Sequence, residues 1–475
     1  MRLQDILSMT GSYMGIGLVF LIVVLVGLVV GYQIVYKKLC KGKRKINFKK
    51  FFWWFILVFY LFVVISVTLL SRPGHIGFGN GQIVSSFYSY KEAWVSASET
   101  AWRNIILNIL MFVPLGFWLP VGKKAFRSFW KTYLVGLLLT VGIEVLQLLL
   151  SRGIFEVADV FNNTLGTMIG YGVYKVIEYF ILLHKKEKPK LSVVMFSQLP
   201  LVLAVAMFMT IFLTYQKQEL GNLQIEYILP YEEGRFQIVS EEEYNKDTKK
   251  AMVYQTDILT VEETEQLAAC FFKNLGTTVD TSRNDIYENT AVYWSNDSYS
   301  MWIDYQGGTY SMTDFDTSFP EEGEEEPLQV KNASKETIWN ALAGYGIQIP
   351  EEADFSSGPD GGYVFTVDLF EADGVIYDGV LECDYYDNGK FASIRNNIRK
   401  MEPYKEFDIC SEREAYEQIL AGKFVGIGYE SAKIEIGQVS LDYMQDTKGF
   451  YQPVYNFDIQ IEGEEQSIQI PAIPQ

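Results

Sequence analysis

The chain has 475 residues and a formal net charge of −18, but its two halves differ in kind. Residues 1–214 hold 22 Lys and Arg against 8 Asp and Glu, a balance of +14, while residues 215–475 hold the other 18 against 50, a balance of −32. The acidic half repels phosphate backbones, which argues against nucleic acid as a partner; with only His75 and His184 in the whole chain, a His-rich metal site is excluded, and so is a His-dependent triad beyond residue 214.

A run of about 20 apolar residues can cross the hydrocarbon core as a helix. Six such runs are predicted, at 13–34, 51–70, 102–121, 133–150, 157–183 and 191–215. The first is too long for a cleaved signal segment, and Lys37, Lys38 and Lys41 follow it. Three connections are basic: KKLCKGKRKINFKK, VGKKAFRSFWK and HKKEKPK. The positive-inside rule places these three in the cytoplasm. The expected topology is therefore multi-pass in the cell membrane, with the N-terminus and the acidic C-terminal half both outside. Trp53, Trp54, Trp102, Trp118 and Trp130 fall near span ends, where indole rings favour the interface.

Polar groups within the spans carry the functional signal. The third span opens with Asn104 and Asn108, four apart, and continues through Pro114 and Gly116. Glu144, Gln147 and Ser151 share one face of the fourth, and Arg152 and Glu156 follow it. Asp159, Asn162 and Asn163 open the fifth, ahead of Gly166 and Gly170, a small-xxx-small spacing that permits close helix approach. The topology brings all of these to the outer half of the membrane. Asn and Gln at such depth also serve as glue between helices, whereas ionisable groups there mark functional sites. The candidate site is a polar pocket open to the outer leaflet, built from Asn104, Asn108, Glu144, Gln147, Arg152, Asp159, Asn162 and Asn163. Pro114, Gly116, Gly166 and Gly170 are assigned to helix packing.

The stretches NIILNILMFVPLGFWLP and GIEVLQLLLSRGIFEVADVFNNTLGTMIGYGVY resemble the VanZ-like family of membrane proteins. The likeness spans roughly residues 50–185. It rests on Asn108, Phe112–Pro114–Leu115–Gly116, Ile143–Glu144–Gln147, Arg152, Asp159, Asn162 or Asn163, and Gly166 with Gly170. The resemblance implies reduced sensitivity to glycopeptide antibiotics, chiefly teicoplanin, in Gram-positive bacteria, without altered wall precursors. It implies no settled biochemical activity, and does not reach the first and sixth spans or the C-terminal half.

After a short connection at 216–223, helix and strand signals alternate. Thr260 with Glu263 three residues on reads as a helix start, and Gly276 ends the amphipathic run. TAVYWSN, YSMWIDY and GTYSMTDF read as strands, with a hairpin turn at Gly307–Gly308. The acidic loop PEEGEEEP, 320–327, marks a predicted sub-domain boundary. Ser334 caps a second helix, and GYVFTVDLFEADG, GVLECDYY and KFASIRNNIRKM read as strands around a turn at Asp387–Asn388–Gly389. SEREAYEQILAGKF is a third helix, followed by SAKIEIGQVSLDYMQ and YQPVYNFDIQI. The stretch 334–460 resembles YycH/YycI-type extracytoplasmic regulatory domains, which implies a membrane-tethered partner of a wall-sensing kinase. Cys40, Cys270, Cys383 and Cys410 form no CxxC pair, and at most one disulfide is available to the last three. Trp294, Trp302, Tyr293 and Tyr305 suit either cross-strand pairing or stacking on sugars.

The expected architecture is an all-α transmembrane bundle of six helices, 1–216, followed by an α+β extracytoplasmic domain with antiparallel sheets, divided into 217–327 and 328–475. No catalytic residue, metal site or cofactor is assigned. The expected partners are the lipid bilayer, a lipid-linked wall precursor or lipoglycopeptide, and an envelope protein on the ectodomain. Two functions compete: lowered glycopeptide sensitivity through the outer-leaflet pocket, and a membrane-anchored regulatory or scaffold protein. An enzyme using Glu144 and Asp159 as acid and base is a third reading, without a nucleophile or metal set to accompany them.

Overall fold

The computed structural model describes residues 48–70, 83–84, 87–150, 155–225, 236–296, 298–320, 326–358, 361–372, 375–424 and 432–474. The chain forms two compact units, Met1–Glu219 and Leu220–Gln475. In the first, α1 (Phe48–Ile65) runs into a π-helical turn at Ser66–Leu70. A short strand, β1 (Ile83–Val84), precedes α2 (Tyr88–Ser96) and α3 (Glu99–Gly122). Then come α4 (Phe129–Leu149), β2 (Phe155–Glu156) and α5 (Val157–His184). α6 (Leu191–Ser197) and α7 (Leu199–Lys217) close the unit, and β1 pairs with β2 in parallel.

α5 is the hub, packed on α3, α4, α6 and α7. Its approach to α3 is set by glycine. A Cβ on Gly166 would stand 1.9 Å from the Ile109 carbonyl oxygen, one on Gly170 2.0 Å from that of Val113, and one on Gly116 1.9 Å from that of Thr167. Trp53 and Trp118 tie α1 to α3, each indole N–H donating to the other's backbone carbonyl, at 3.1 and 3.2 Å.

Four helices among the described residues are long and apolar enough to cross a membrane: Phe51–Thr68, Glu99–Gly122, Phe129–Leu149 and Leu191–Lys217. They account for four of the six expected crossings. The expected span at 13–34 lies outside the described residues. The one at 157–183 is a 28-residue helix, ample in length at about 1.5 Å per residue. It falls short in composition because Asp159, Asn162, Asn163, Lys175 and Glu178 interrupt it. Neighbouring helices cover this segment, burying Leu165, Ile169 and Tyr171. α7 shows the reverse, burying only Ala204 and exposing Val202, Leu203 and Phe212, an apolar surface that suits lipid.

The second unit is sheet-rich. Its elements are β3 (Phe236–Ser240), β4 (Lys249–Thr256), α8 (Val261–Asn274), β5 (Asp285–Ile286), β6 (Thr290–Ser295), β7 (Tyr299–Asp304), β8 (Tyr310–Asp314), the single turn α9 (Phe315–Ser318), α10 (Lys335–Gly344), β9 (Asp354–Ser357), β10 (Gly362–Ala372), β11 (Val375–Tyr385), β12 (Phe391–Asn396), β13 (Arg399–Ile409), α11 (Glu412–Leu420), β14 (Ala432–Gln445), β15 (Phe450–Ile461) and β16 (Glu464–Pro471). All fourteen strands join one mostly antiparallel sheet, in the order β3-β14-β15-β4-β13-β11-β12-β8-β7-β6-β5, with β10 on β11, β9 on β10 and β16 on β15. β3 pairs with β14 in parallel.

Two large cores and two smaller clusters pack on this sheet. In one, Phe271, Phe272, Ile338 and Leu342 of α8 and α10 pack on Tyr293, Met301, Phe365 and Leu381, so residues on both sides of position 327 share it. In the other, Ala415 and Ile419 of α11 pack on Ile434, Phe457 and Ile468. Tyr293 is fully buried, whereas Trp302 keeps an exposed face and stacks on Tyr287. Cys270, Cys383 and Cys410 are free thiols. Burial pushes Cys383 up to about 12 and Cys410 up to about 11, which makes both poor nucleophiles.

Two of the three predicted helix starts are capping boxes, and Ser334 caps the third through the Thr337 N–H. The Thr260 hydroxyl accepts from the Glu263 N–H, and the Glu263 carboxylate accepts from the Thr260 N–H at 2.7 Å. Ser411 and Glu414 repeat the arrangement at α11. The backbone N–H of the cap residue, and then its hydroxyl, hold both carboxyls below the ordinary Glu value of 4.5. A depressed folded pKa stabilises above the unfolded value, and the benefit is lost as pH falls through the folded one. Asp378, which burial pushes upward, works in the opposite sense. Thermal melts of the Leu220–Gln475 unit should therefore lose stability below about pH 4.5, with a flatter slope in the Glu263→Gln, Glu414→Gln double variant. Identical slopes for the two proteins would refute the assignment.

Candidate functional site

The polar residues of α4 form a stripe. Thr132, Gly136, Thr140, Glu144 and Gln147 recur at helical spacing and are all buried. The opening of α5 faces this stripe. Asn163 Nδ2 donates to Thr140 Oγ1 at 2.9 Å, and Thr167 Oγ1 donates to the Asn163 carbonyl at 3.1 Å. The Glu156 N–H approaches Glu144 Oε2 at 3.4 Å. Glu144 is 2 % exposed, a costly position for a carboxyl in an apolar helix.

Two further helices close on this end. From α3, Asn108 Nδ2 donates to Asp159 Oδ1 at 2.6 Å. From α2, the Tyr90 hydroxyl donates to Asn162 Oδ1 at 2.5 Å, and the Ser89 N–H donates to Glu156 Oε1 at 2.8 Å. The π-helical turn after α1 contributes the Thr68 carbonyl, which accepts from Gln147 Nε2 at 3.0 Å. These bonds run through one set of helices, so α1 to α5 all reach the cluster.

Several buried polar atoms here have no partner: Gln147 Oε1, Asn162 Nδ2 and Asn163 Oδ1 on the α4–α5 side, with Ser66 Oγ on the π-helical turn and Ser89 Oγ on α2. Native interiors leave few such atoms unpaired. Five of the ten such atoms among the described residues lie in this cluster.

Of the residues singled out in the sequence, Asn108, Glu144, Gln147, Asp159, Asn162 and Asn163 come together in this cluster. Asn104 does not join it. Burial along α3 follows Ile105, Ile109 and Phe112, and Asn104, one turn before Asn108, is exposed. Pro114 is likewise exposed, while Gly116, Gly166 and Gly170 stand at the α3–α5 contact. Arg152 lies outside the described residues. Thr140, Glu156, Tyr90 and Ser89 belong to the cluster and were not assigned to it from sequence. Thr140 was open to detection, being one turn before Glu144 on the same face. Tyr90 was not, because the nine residues of α2 have neither span length nor a marked apolar face. Among the described residues no group of three or more His, Cys, Asp and Glu is arranged to hold a metal.

The VanZ/LLP1 family model matches residues 55–178, the segment that carries this cluster. Protein VanZ of Enterococcus faecium is 26 % identical over 108 residues, which is 23 % of this chain and 64 % of that protein. The chain thus spans slightly under two thirds of the curated relative it matches. Two solved structures share weaker likenesses. An uncharacterized protein from Eubacterium rectale ATCC 33656 is 12 % identical, covering 50 % of this chain and 88 % of that one, at a TM-score of 0.28. The YpeB C-terminal domain of Bacillus megaterium is 11 % identical, covering 46 % and 94 %, at a TM-score of 0.19.

Proposed function

We propose that this chain is a VanZ-like integral membrane protein of the cell envelope that lowers sensitivity to teicoplanin-type glycopeptides, and that the α2–α5 polar cluster is where it engages a lipid-borne ligand from the outer leaflet. The supporting observation is the fully buried Glu144 with Gln147, Asn162 and Asn163 around it, inside the matched segment, with Glu144 and Gln147 on a helix long and apolar enough to cross a bilayer. The topology that goes with this reading has six spans, with the N-terminus and the unit after residue 219 outside. An expensive carboxyl kept in such a place is a functional-site hypothesis by default. The test is the inhibitory concentration of teicoplanin for a sensitive Gram-positive host that expresses the full chain. With Glu144→Gln and Asp159→Asn together, protection should fall to the level of the empty host. Unchanged protection at equal expression would refute the cluster's role.

A second reading is a regulatory or scaffold protein whose acidic ectodomain binds an envelope protein. Its support is that Leu220–Gln475 is a compact unit of its own, lying wholly beyond the matched segment.

A further inference from the structure

We infer that the open face of the sheet across β7, β8, β12 and β11 binds a neutral glycan, with Trp302 as a stacking platform and the adjoining polar cleft as the hydrogen-bonding wall. The inference concerns the C-terminal unit and is independent of the membrane cluster. The four strands alternate. Met301, Met312, Ile394 and Cys383 belong to the core that α8 and α10 share, so the residues next to them in sequence fall on the opposite face. There the register makes Trp302, Ser311, Arg395 and Glu382 successive partners across the four strands. Thr313, Ser393 and Asp384 form the next row. With neighbouring strands about 4.8 Å apart, the first row is roughly 14 Å long.

Of the four aromatics that suit sugar stacking by sequence, the fold leaves one available. Tyr293 is fully buried and donates to the Val261 carbonyl. Trp294 is taken up by Phe315, parallel to it at 5.8 Å, and by the Arg283 guanidinium, 4.7 Å from its ring centre. Tyr305 is packed against the core. Trp302 is 45 % exposed, and the ring of Tyr287 lies parallel to it at 6.0 Å. Tyr287 follows β5, on one side of Trp302. The ladder partner on the other side is Ser311, too small a side chain to cover an indole.

Ser311 also lines a cleft of about 450 Å³, together with Thr313, Glu382, Asp384, Ser393 and Arg395. These groups both donate and accept. Arg395 Nη1 stands 3.2 Å from Glu382 Oε2. Asp384 accepts from Ser393 Oγ at 2.8 Å and from Gln329 Nε2 at 3.3 Å. Hydroxyls, which donate and accept at once, match such a mixed wall. A pyranose ring with equatorial hydroxyls adds an apolar C–H face that packs on the negative face of an indole. Other occupants fit less well. Residues 215–475 carry a balance of −32 and repel polyanions. An extended peptide gains its affinity by adding to a free strand edge, and each of these four strands is already paired on both sides.

The test titrates the full chain, in micelles of a detergent without a sugar headgroup, with three oligosaccharides followed by calorimetry. Cellotetraose and acetylated chitotetraose are neutral and equatorially linked, and a β-1,4-linked tetraglucuronate is the anionic counterpart. At least one neutral oligosaccharide should bind about tenfold or more tightly than the tetraglucuronate. Trp302→Ala should weaken that binding about tenfold, and Trp302→Phe, which keeps a ring, by about threefold or less. Tyr404→Ala removes an exposed aromatic of β13 outside the two rows and should leave binding unchanged. The comparison of oligosaccharides on the unaltered chain stands even where a variant misfolds. Tetraglucuronate binding as tightly as the neutral pair, binding of neither neutral oligosaccharide, or equal affinities for Trp302→Ala and Tyr404→Ala would each overturn the inference.

Discussion

Gly166→Ala should destabilise the N-terminal unit severely, whereas Gly142→Ala, the same chemical change, should be neutral or mildly stabilising. The added carbon at Gly166 would stand 1.9 Å from the Ile109 carbonyl oxygen and 3.2 Å from the Phe112 Cβ, while at Gly142 nothing lies within 4 Å. A backbone oxygen cannot swing aside as a side-chain tip can, so α3 and α5 must separate. Overpacking of this kind costs about 1–3 kcal/mol or more. A helical Gly→Ala change in open space instead gains roughly 0.5–1 kcal/mol. The α3–α5 separation would also part Asn108 from Asp159, a 2.6 Å bond. Melts of the full chain in detergent should show Gly166→Ala lower by several degrees, at about 2–4 °C per kcal/mol for a unit of this size. Equal melting temperatures for the two variants would mean that α3 and α5 do not approach as described.

Asp446→Ala should be a strongly damaging polar truncation in the C-terminal unit. Its side chain is 2 % exposed and accepts four hydrogen bonds. Oδ1 takes the N–H groups of Lys448 and Phe450 at 2.7 and 3.0 Å. Oδ2 takes the Gly221 N–H and Gln452 Nε2, both at 2.6 Å. The carboxylate thus closes the β14–β15 turn and fastens the opening of the unit to it. Asn222 and Thr447 reinforce the junction with two bonds of 2.9 and 3.0 Å. Leu223 and Ile225 then bury against Val454. Removing the acceptor strands four donors, each worth roughly 1–3 kcal/mol when left unpaired in the interior. Partial rehydration reduces the sum, and an overall loss of about 3 kcal/mol is expected. Urea unfolding of Leu220–Gln475 measures it, and protease should cut near residues 220–225 in the variant before the sheet unfolds. A loss below about 1 kcal/mol would show that the junction is not held by this side chain.

What the sequence makes legible here is local. The Thr260–Glu263 and Ser411–Glu414 boxes and the Ser334 cap follow from chemistry within one helical turn, and all three helices begin where those residues stand. Glu144 and Gln147, three apart, show a shared face for the same reason. Pairing across the sheet is a different matter. β4 lies between β15 and β13, partners some 150 to 200 residues away, and no periodicity within residues 249–256 encodes such neighbours. Separate small sheets were therefore expected where one continuous sheet exists. Asn104 illustrates the limit within a helix. A spacing of four makes it a neighbour of Asn108, yet a rotation of about 40° over four residues is enough to carry it from contact to exposure. The fifth predicted span shows the converse, since a helix sheathed by other helices can hold Asn, Asp and Gly that a lipid-facing one cannot.

The most direct test of the membrane cluster as the seat of function compares three proteins in one sensitive Gram-positive host at matched expression: the full chain, the chain ended after Glu219, and the full chain with Glu144→Gln. Inhibitory concentrations of teicoplanin and vancomycin are read side by side. The expected result is selective protection against teicoplanin that survives the truncation and disappears with Glu144→Gln. Protection that disappears with the truncation and survives Glu144→Gln would contradict it, and would move function to the C-terminal unit.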